Sequence, residues 1–311
     1  MKIKKPNFWD YKKPNFLSYL LLPFTLPIIV NNYFLNNRNK AFRNSKIKNI
    51  CIGNIYVGGT AKTPLTIKIN QILKNLNFKS AIIKKFYNDQ IDEQKLLSEN
   101  TKLYCFRTRK EALDEAIKDK NDIAIFDDGL QDKSINYDLR LVCFNNKAWI
   151  GNGFLIPAGP LREKMESISK YDAIFLNGNS EDNTQLKSII KKYNEKIVVF
   201  ETYYNPINIK NFNRDLKYLI FSGIGNPSSF KMTLLKNKFN IIKELKFPDH
   251  YNYTLNDIEK IKIQAKALNA EILTTKKDYM KLNNDDEIQY LDIDLIIKEE
   301  DRLINFIKSN I

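Results

Sequence analysis

With 311 residues, 43% of them hydrophobic and 28% charged, the chain has the composition of a globular protein and the length of two domains rather than one. A formal net charge of +14 favours anionic partners such as phospholipid head groups, nucleic acid or nucleotides; because Lys, Ile and Asn are abundant and spread throughout, most of the excess reads as compositional. Three scattered cysteines, Cys51, Cys105 and Cys143, give neither a disulfide framework nor a zinc motif and suggest buried thiols in a reducing compartment, while a single histidine, His250, excludes a His-rich metal site.

The first feature along the chain is the uncharged run FLSYLLLPFTLPIIV, from Phe16 to Val30. Lys2, Lys4, Lys5, Lys12 and Lys13 precede it, and Arg38, Lys40, Arg43, Lys46 and Lys48 follow. It is shorter than the roughly 20 apolar residues of a spanning helix, and Pro23 and Pro27 interrupt it. A cleaved signal peptide needs small residues next, where Asn31, Asn32, Tyr33 and Phe34 stand. A spanning helix would leave one basic flank outside. An interfacial or re-entrant helix keeps both flanks beside anionic head groups, with Trp9, Tyr11, Tyr19 and Tyr33 as interface anchors. Residues 1–40 are therefore expected to form an uncleaved membrane-associated segment of undetermined depth, with a buried core helix as the competing reading.

From about residue 46 strands alternate with helices. β-rich runs lie at Ile47–Ile55, Ser80–Phe86, Ile123–Phe126, Leu139–Phe144, Ala173–Leu176 and Lys196–Thr202. Helical patterns lie at Pro64–Leu76, with Leu65, Ile69, Ile72 and Leu73 on one face, and at Lys110–Lys118. Such alternation predicts a parallel sheet with helices on both faces. The polar stretch Asn205–Asn213 breaks it, and a second α/β set follows at Tyr218–Phe221, Ile241–Phe247, Ile272–Thr274 and Tyr290–Ile297. Thr254 and Asp257 form a capping pair for a helix between two of these strands. Two α/β domains, 41–208 and 209–311, are expected, with a hinge near 205–215 and a ligand cleft between them.

Between the first strand and its helix lies Tyr56-Val57-Gly58-Gly59-Thr60-Ala61-Lys62-Thr63-Pro64. Glycines let backbone N–H groups approach phosphates, and the helix N-terminus adds a favourable field. Lys62 would reach the β/γ oxygens and Thr63 would offer its hydroxyl to Mg²⁺. The match to GxxxxGK[ST] is imperfect, with Tyr56 at the first Gly position and Ala61 at the second, so an ordinary strand-to-helix turn stays open on this motif alone. Ile123-Ala124-Ile125-Phe126-Asp127-Asp128-Gly129 reads as a buried strand presenting carboxylates at its C-terminal edge, where a Mg²⁺-binding acid belongs, with Gln131 as a further oxygen ligand. A simple Asp-Asp-Gly turn is the alternative. Together the two elements favour nucleotide binding.

The joint pattern resembles the tetraacyldisaccharide 4′-kinase (lipid A 4′-kinase) family over nearly the whole chain. The resemblance is carried by Gly53-Asn54-Ile55 with Val57-Gly58-Gly59-Thr60; by Asp127-Asp128-Gly129-Leu130-Gln131; by Asn152-Gly153 with Pro157-Ala158-Gly159-Pro160-Leu161-Arg162-Glu163; by Gly223-Ile224-Gly225-Asn226-Pro227 with Phe230; by Phe247-Pro248-Asp249-His250; and by Thr274-Thr275-Lys276-Lys277-Asp278. It implies two Rossmann-like α/β/α domains, the first of P-loop NTPase type, behind an N-terminal membrane-associated helix. It also implies an ATP- and Mg²⁺-dependent enzyme on the cytoplasmic face of the bacterial inner membrane, transferring the γ-phosphoryl of ATP to the 4′-hydroxyl of a tetraacylated glucosamine disaccharide 1-phosphate. His250 matches the family's catalytic His, and Asp92, in Ile91-Asp92-Glu93-Gln94, its catalytic Asp. Asp92 would orient His250, which takes the proton from the attacking hydroxyl. Arg162 would balance charge on the transferring phosphoryl. Gly58, Gly59, Thr60, Ala61, Lys62, Thr63, Tyr87 and Gln131 are expected at the nucleotide or substrate, and Thr63, Asp127, Asp128 and Glu163 at the metal.

Two departures stand out. Ala61 replaces the family's Gly, which is unfavourable if that position needs φ > 0. The family's Ser-Arg-Gly-Tyr-Gly element reads Lys84-Lys85-Phe86-Tyr87-Asn88, retaining only Tyr87. They motivate a second reading, a catalytically impaired membrane-bound nucleotide or lipid binder. A third, a basic nucleic-acid binder, rests on charge alone; no nucleic-acid partner is expected, and a monomer is.

Overall fold

The computed structural model of the chain describes residues 5–36, 42, 46–178, 182–282 and 285–311. Two short helices, α1 (Phe16–Leu20) and α2 (Leu26–Asn36), flank a single 3-10 turn at Leu22–Thr25. Asn15 and Ser18 cap α1 reciprocally, and Pro23 sits in the turn, where it prevents one continuous helix. Among the described residues no helix is long and apolar enough to cross a membrane. The segment is seated on the body of the protein: the Trp9 indole donates to the Pro157 carbonyl (2.9 Å), and Asn152 donates to the Ser18 hydroxyl (2.9 Å).

The main body is an eight-stranded sheet of β1 (Lys48–Gly53), β2 (Ser80–Lys85), β3 (Leu103–Phe106), β4 (Ile123–Asp127), β5 (Leu139–Asn145), β6 (Ala173–Asn177), β7 (Val198–Pro206) and β12 (Ile293–Ile297). The order is β12-β7-β6-β5-β1-β4-β2-β3, parallel throughout except for β12 against β7. Central strands such as β4 and β6 are buried along their whole length, because helices cover both faces. Helices α3 (Lys62–Asn75) and α10 (Glu300–Asn310) fill one face with Leu65, Ile69, Leu73, Leu303 and Ile307. Helices α5 (Arg109–Lys118) and α6 (Thr184–Tyr193) fill the other with Leu113 and Ile190. Strand order reverses at β1, so the loops after β1 and β4 open side by side at the C-terminal edge, where such sheets bind ligands.

A smaller sheet, β11-β10-β8-β9, is all parallel and comprises β8 (Lys217–Ser222), β9 (Asn240–Lys246), β10 (Glu271–Thr275) and β11 (Ile288–Leu291). Helix α7 (Pro227–Lys236) packs Phe230 and Leu234 on one face, and α8 (Leu255–Leu268) packs Ile261 and Ala265 on the other. Thr254 and Asp257 cap α8 as expected.

One expectation needs correction. Residues 209–311 do not all belong to the second domain, and Tyr290–Ile297 is not one strand. The chain leaves the small sheet after β11, turns at Asp292 and adds β12 and α10 to the large one. The cause is side-chain burial: Leu295 and Ile297 find their apolar contacts in the first domain's core. Asn208 ties this second crossing to the first, donating to the Tyr290 carbonyl and accepting from the Asp292 N–H (both 2.9 Å).

Candidate active site

The loop after β1 folds around Asn54, which is fully buried and donates to the Tyr56 carbonyl (2.6 Å) and the Thr60 hydroxyl (2.9 Å). At Gly58 φ is +147°, and a Cβ there would lie 2.9 Å from the Tyr56 ring, so only glycine fits. Tyr56 itself is buried, and its hydroxyl donates to Asp10 (2.6 Å), tying the loop to the N-terminal segment. Ala61 is the N-cap of α3 with φ +68° and ψ +25°. The position does require the left-handed region, where a Cβ costs roughly 1–2 kcal/mol.

Lys62 and Thr63 open α3 and turn toward the end of β4. The Thr63 hydroxyl lies 3.4 Å from Asp127 Oδ2 and the Thr66 hydroxyl 3.3 Å from Oδ1. Asp128, at φ +55°, pairs instead with two cations. Lys62 Nζ is 3.9 Å from Asp128 Oδ1 and Arg162 Nη1 3.1 Å from the same oxygen. Burial pushes the Asp128 carboxyl up, but Lys62 and Arg162 outweigh it and hold the carboxyl below its usual range. The Arg162 N–H donates to the Ile55 carbonyl (2.7 Å), fixing that residue against the loop. Gln131 donates to the Asn54 carbonyl (3.1 Å) and to Glu163 Oε1 (2.8 Å), and Glu163 also accepts from the Tyr171 hydroxyl (3.1 Å).

Across the cleft the second domain presents His250, in the loop after β9. Its φ is +55°, and its N–H donates to the Gly223 carbonyl (3.1 Å). Helix α4 (Ile91–Asn100) of the first domain carries Asp92 and Glu93 in its first turn. His250 Nδ1 meets both Asp92 oxygens, at 3.0 and 3.1 Å, while Nε2 faces Glu93 (3.7 Å) and Asp249 (3.8 Å). Lys277 Nζ lies 3.1 Å from Glu93, 3.5 Å from Asp249 and 3.7 Å from Asp92; Lys281 Nζ lies 3.3 Å from Asp92. Burial alone would raise the Asp92 carboxyl, yet the His250 hydrogen bond and the charges of Lys277 and Lys281 hold it well below the usual carboxylate range.

That depression has a sign. A carboxyl whose folded pKa lies below its unfolded value stabilises the fold fully above the unfolded value, about 3.9 for Asp, and loses this contribution as pH falls further. Asp92→Asn should therefore lower stability at neutral pH and flatten its decline in acid, read from urea midpoints between pH 7 and 3. Parallel curves for the two proteins would contradict this.

The structure thus unites the expected phosphate-loop residues with Asp127, Asp128, Arg162, Gln131 and Glu163, and brings Asp92 to His250. It does not gather the four expected metal residues. Thr63 and Asp127 converge, whereas Asp128 is held by Lys62 and Arg162, and Glu163 by Gln131 and Tyr171. Among the described residues no three His, Cys, Asp or Glu side chains form a metal-holding group. Tyr87 is partly exposed and stays with its neighbours, its ring beneath the Lys85 ammonium and its carbonyl accepting from Gln94 (2.8 Å). Sequence reasoning missed Lys84, whose buried ammonium lies 2.6 Å from Asp127 and 2.8 Å from Glu93, and it missed the placement of Lys277 and Lys281 beside Asp92. Lys277 stood within a quoted motif without a role, and Lys84 counted only as a departure.

The sequence matches the model of the Tetraacyldisaccharide-1-P 4′-kinase family over residues 16–311. It is 50% identical over 313 residues to the tetraacyldisaccharide 4′-kinase of Pelagibacter ubique (strain HTCC1062), covering 100% of this chain and 99% of that relative. It is 34% identical over 322 residues to the tetraacyldisaccharide 4′-kinase of Rickettsia typhi (strain ATCC VR-144 / Wilmington), covering 97% of each. Among solved structures, the "apo" form of LpxK from Aquifex aeolicus in complex with ATP shares the fold with a TM-score of 0.68 at 21% identity, covering 94% of this chain and 99% of that one.

Proposed function

The chain belongs to the tetraacyldisaccharide 4′-kinase family, and on that premise we propose that it transfers the γ-phosphoryl of ATP to the 4′-hydroxyl of a tetraacyldisaccharide 1-phosphate at the cytoplasmic face of the bacterial inner membrane. The observation that carries the mechanism is the Asp92–His250 contact, made across the two domains and linked through Glu93 and Lys84 to the phosphate loop.

Asp92 accepts the Nδ1 hydrogen and leaves Nε2 as the atom that takes the proton from the sugar hydroxyl. Lys277 and Lys281 keep Asp92 ionised for this task. The loop N–H groups and Lys62 hold the β- and γ-phosphates, and Arg162 places positive charge beside the oxygens of the transferring group. ATP as donor accords with the ATP complex of Aquifex aeolicus LpxK. Mg²⁺ fits this site: the Thr63 hydroxyl and the buried Asp127 carboxylate converge, and a hard cation that retains waters and phosphate oxygens needs few protein ligands. When bound, it neutralises charge on the β- and γ-oxygens. Both halves of the site come from one chain, so a monomer suffices.

The lipid substrate requires access to a bilayer. Phe16, Leu20, Phe24, Leu26, Tyr33 and Phe34 are each more than half exposed, and Lys12 and Lys13 beside them are also exposed. An apolar surface beside basic side chains suits an anionic bilayer, in which the segment lies without spanning. Burying one Phe is worth about 1.5–3 kcal/mol, so Phe16→Asp with Phe24→Asp should cut co-sedimentation with phosphatidylglycerol vesicles at least about tenfold. Unchanged sedimentation would remove the membrane reading.

The overall test is transfer from γ-labelled ATP to tetraacyldisaccharide 1-phosphate in detergent, read by chromatography of the lipid. Labelled lipid that disappears on chelation of Mg²⁺ is the expected result. ATP binding without transfer would overturn it in favour of an impaired binder, the reading that strain at Ala61 motivates.

A further inference from the structure

Lys84 lies near the C-terminal end of β2 and is only 1% exposed. Its Nζ is 2.6 Å from Asp127 Oδ2 and 2.8 Å from Glu93 Oε2. A lone ammonium at this depth is unfavourable, and only two carboxylates converging on it make the position tenable. Those carboxylates belong to opposite halves of the site. Asp127 accepts from Thr63 and Thr66 at the phosphate loop. Glu93 follows Asp92 in the first turn of α4, pairs with Lys277 and faces His250 Nε2. Alternating charges therefore run from Asp127 through Lys84, Glu93 and Lys277 to Asp92 and His250. Lys277 and Lys281 approach from the second domain, whereas Lys84 is a cation of this chain of charges supplied by the first domain's own sheet.

We propose that Lys84 is a positioning residue, a fixed internal cation that ties the metal-binding carboxylate Asp127 to Glu93 and thereby sets the spacing between the phosphate loop and the Asp92–His250 pair. This rests on the reading of Thr63 and Asp127 as Mg²⁺ ligands and of His250 as the base. Two consequences follow from the geometry. A positive charge on Asp127 opposes a second cation there, so Mg²⁺ binds more weakly than it would without Lys84. Losing the link lets the first turn of α4 shift, so turnover suffers while ATP binding, which Lys84 does not touch, is preserved.

The test uses the full chain saturated with a non-hydrolysable ATP analogue and titrated with Mg²⁺ by calorimetry. Lys84→Met should tighten Mg²⁺ at least about tenfold. Its kcat in the lipid assay should fall about 100-fold with no rise in the KM for ATP, a split expected of lost positioning. Because Lys84→Met leaves two carboxylates facing each other, the pair Lys84→Met with Glu93→Gln, which restores the net charge of the cluster, provides the same readouts if the single variant fails to fold. Lys84→Arg should keep the weak Mg²⁺ affinity. Folded variants with wild-type Mg²⁺ affinity and kcat would overturn the inference. Asp127→Asn separates the two readings. If it loses Mg²⁺ while the Lys84 variants behave as wild type, only the role of Lys84 fails; if it binds Mg²⁺ normally, the metal assignment fails and the inference with it.

Discussion

His250→Ala should lower phosphoryl transfer about 10²–10⁴-fold, the usual contribution of a general base, with ATP binding retained. The side chain is held by Asp92 through Nδ1, which leaves Nε2 for the acceptor hydroxyl, so the loss is expected in transfer rather than in nucleotide binding. The backbone adds a complication. His250 has φ +55°, a region that costs roughly 1–2 kcal/mol for an ordinary L-residue and that Asn tolerates better than Ala. His250→Asn is therefore the cleaner variant. Both substitutions should lower transfer to a similar extent, and only Ala should lower the melting temperature appreciably. Equal turnover of wild type and His250→Asn would remove His250 from the mechanism, whatever the stability of either variant.

What the sequence revealed depended on how local each feature is. The proposed phosphate loop and the acidic end of β4 are short, contiguous patterns, and each is visible without knowing what lies opposite. Strand β3 escaped notice because it is four residues long and only partly buried, with no strong apolar run. The break at Asp292 was invisible for a different reason: Tyr290–Ile297 alternates like one strand, and only competition between two cores decides that its halves part. Asp92 and His250 stand 158 residues apart, so nothing in the local pattern links them, and the family resemblance alone suggested the pair. Lys84 and Lys277 were the hardest to see. In a chain with 50 lysines and arginines, one more lysine reads as a solvated surface residue until the fold shows it enclosed by carboxylates.

Lys62→Met should reduce transfer about 10²–10³-fold and raise the KM for ATP, because an ammonium on the β- and γ-oxygens acts in both the ground state and the transition state. Met keeps the length and apolar stem of Lys, so α3 keeps its first turn. In the structure Lys62 and Arg162 share Asp128, at 3.9 and 3.1 Å. This gives Asp128 a physical role distinct from that of Asp127: it holds two cations at the mouth of the loop, where incoming phosphates can take them over. Arg162, on the proposed reading, serves chiefly the charge that develops on the transferring group, so Arg162→Met should lower kcat with little change in KM. The contrast between the two variants in steady-state kinetics separates a residue that holds the nucleotide from one that serves the transferring group. Full activity in Lys62→Met would mean that the turn after β1 is not a phosphate loop, and the strain accepted at Ala61 would then need another cause.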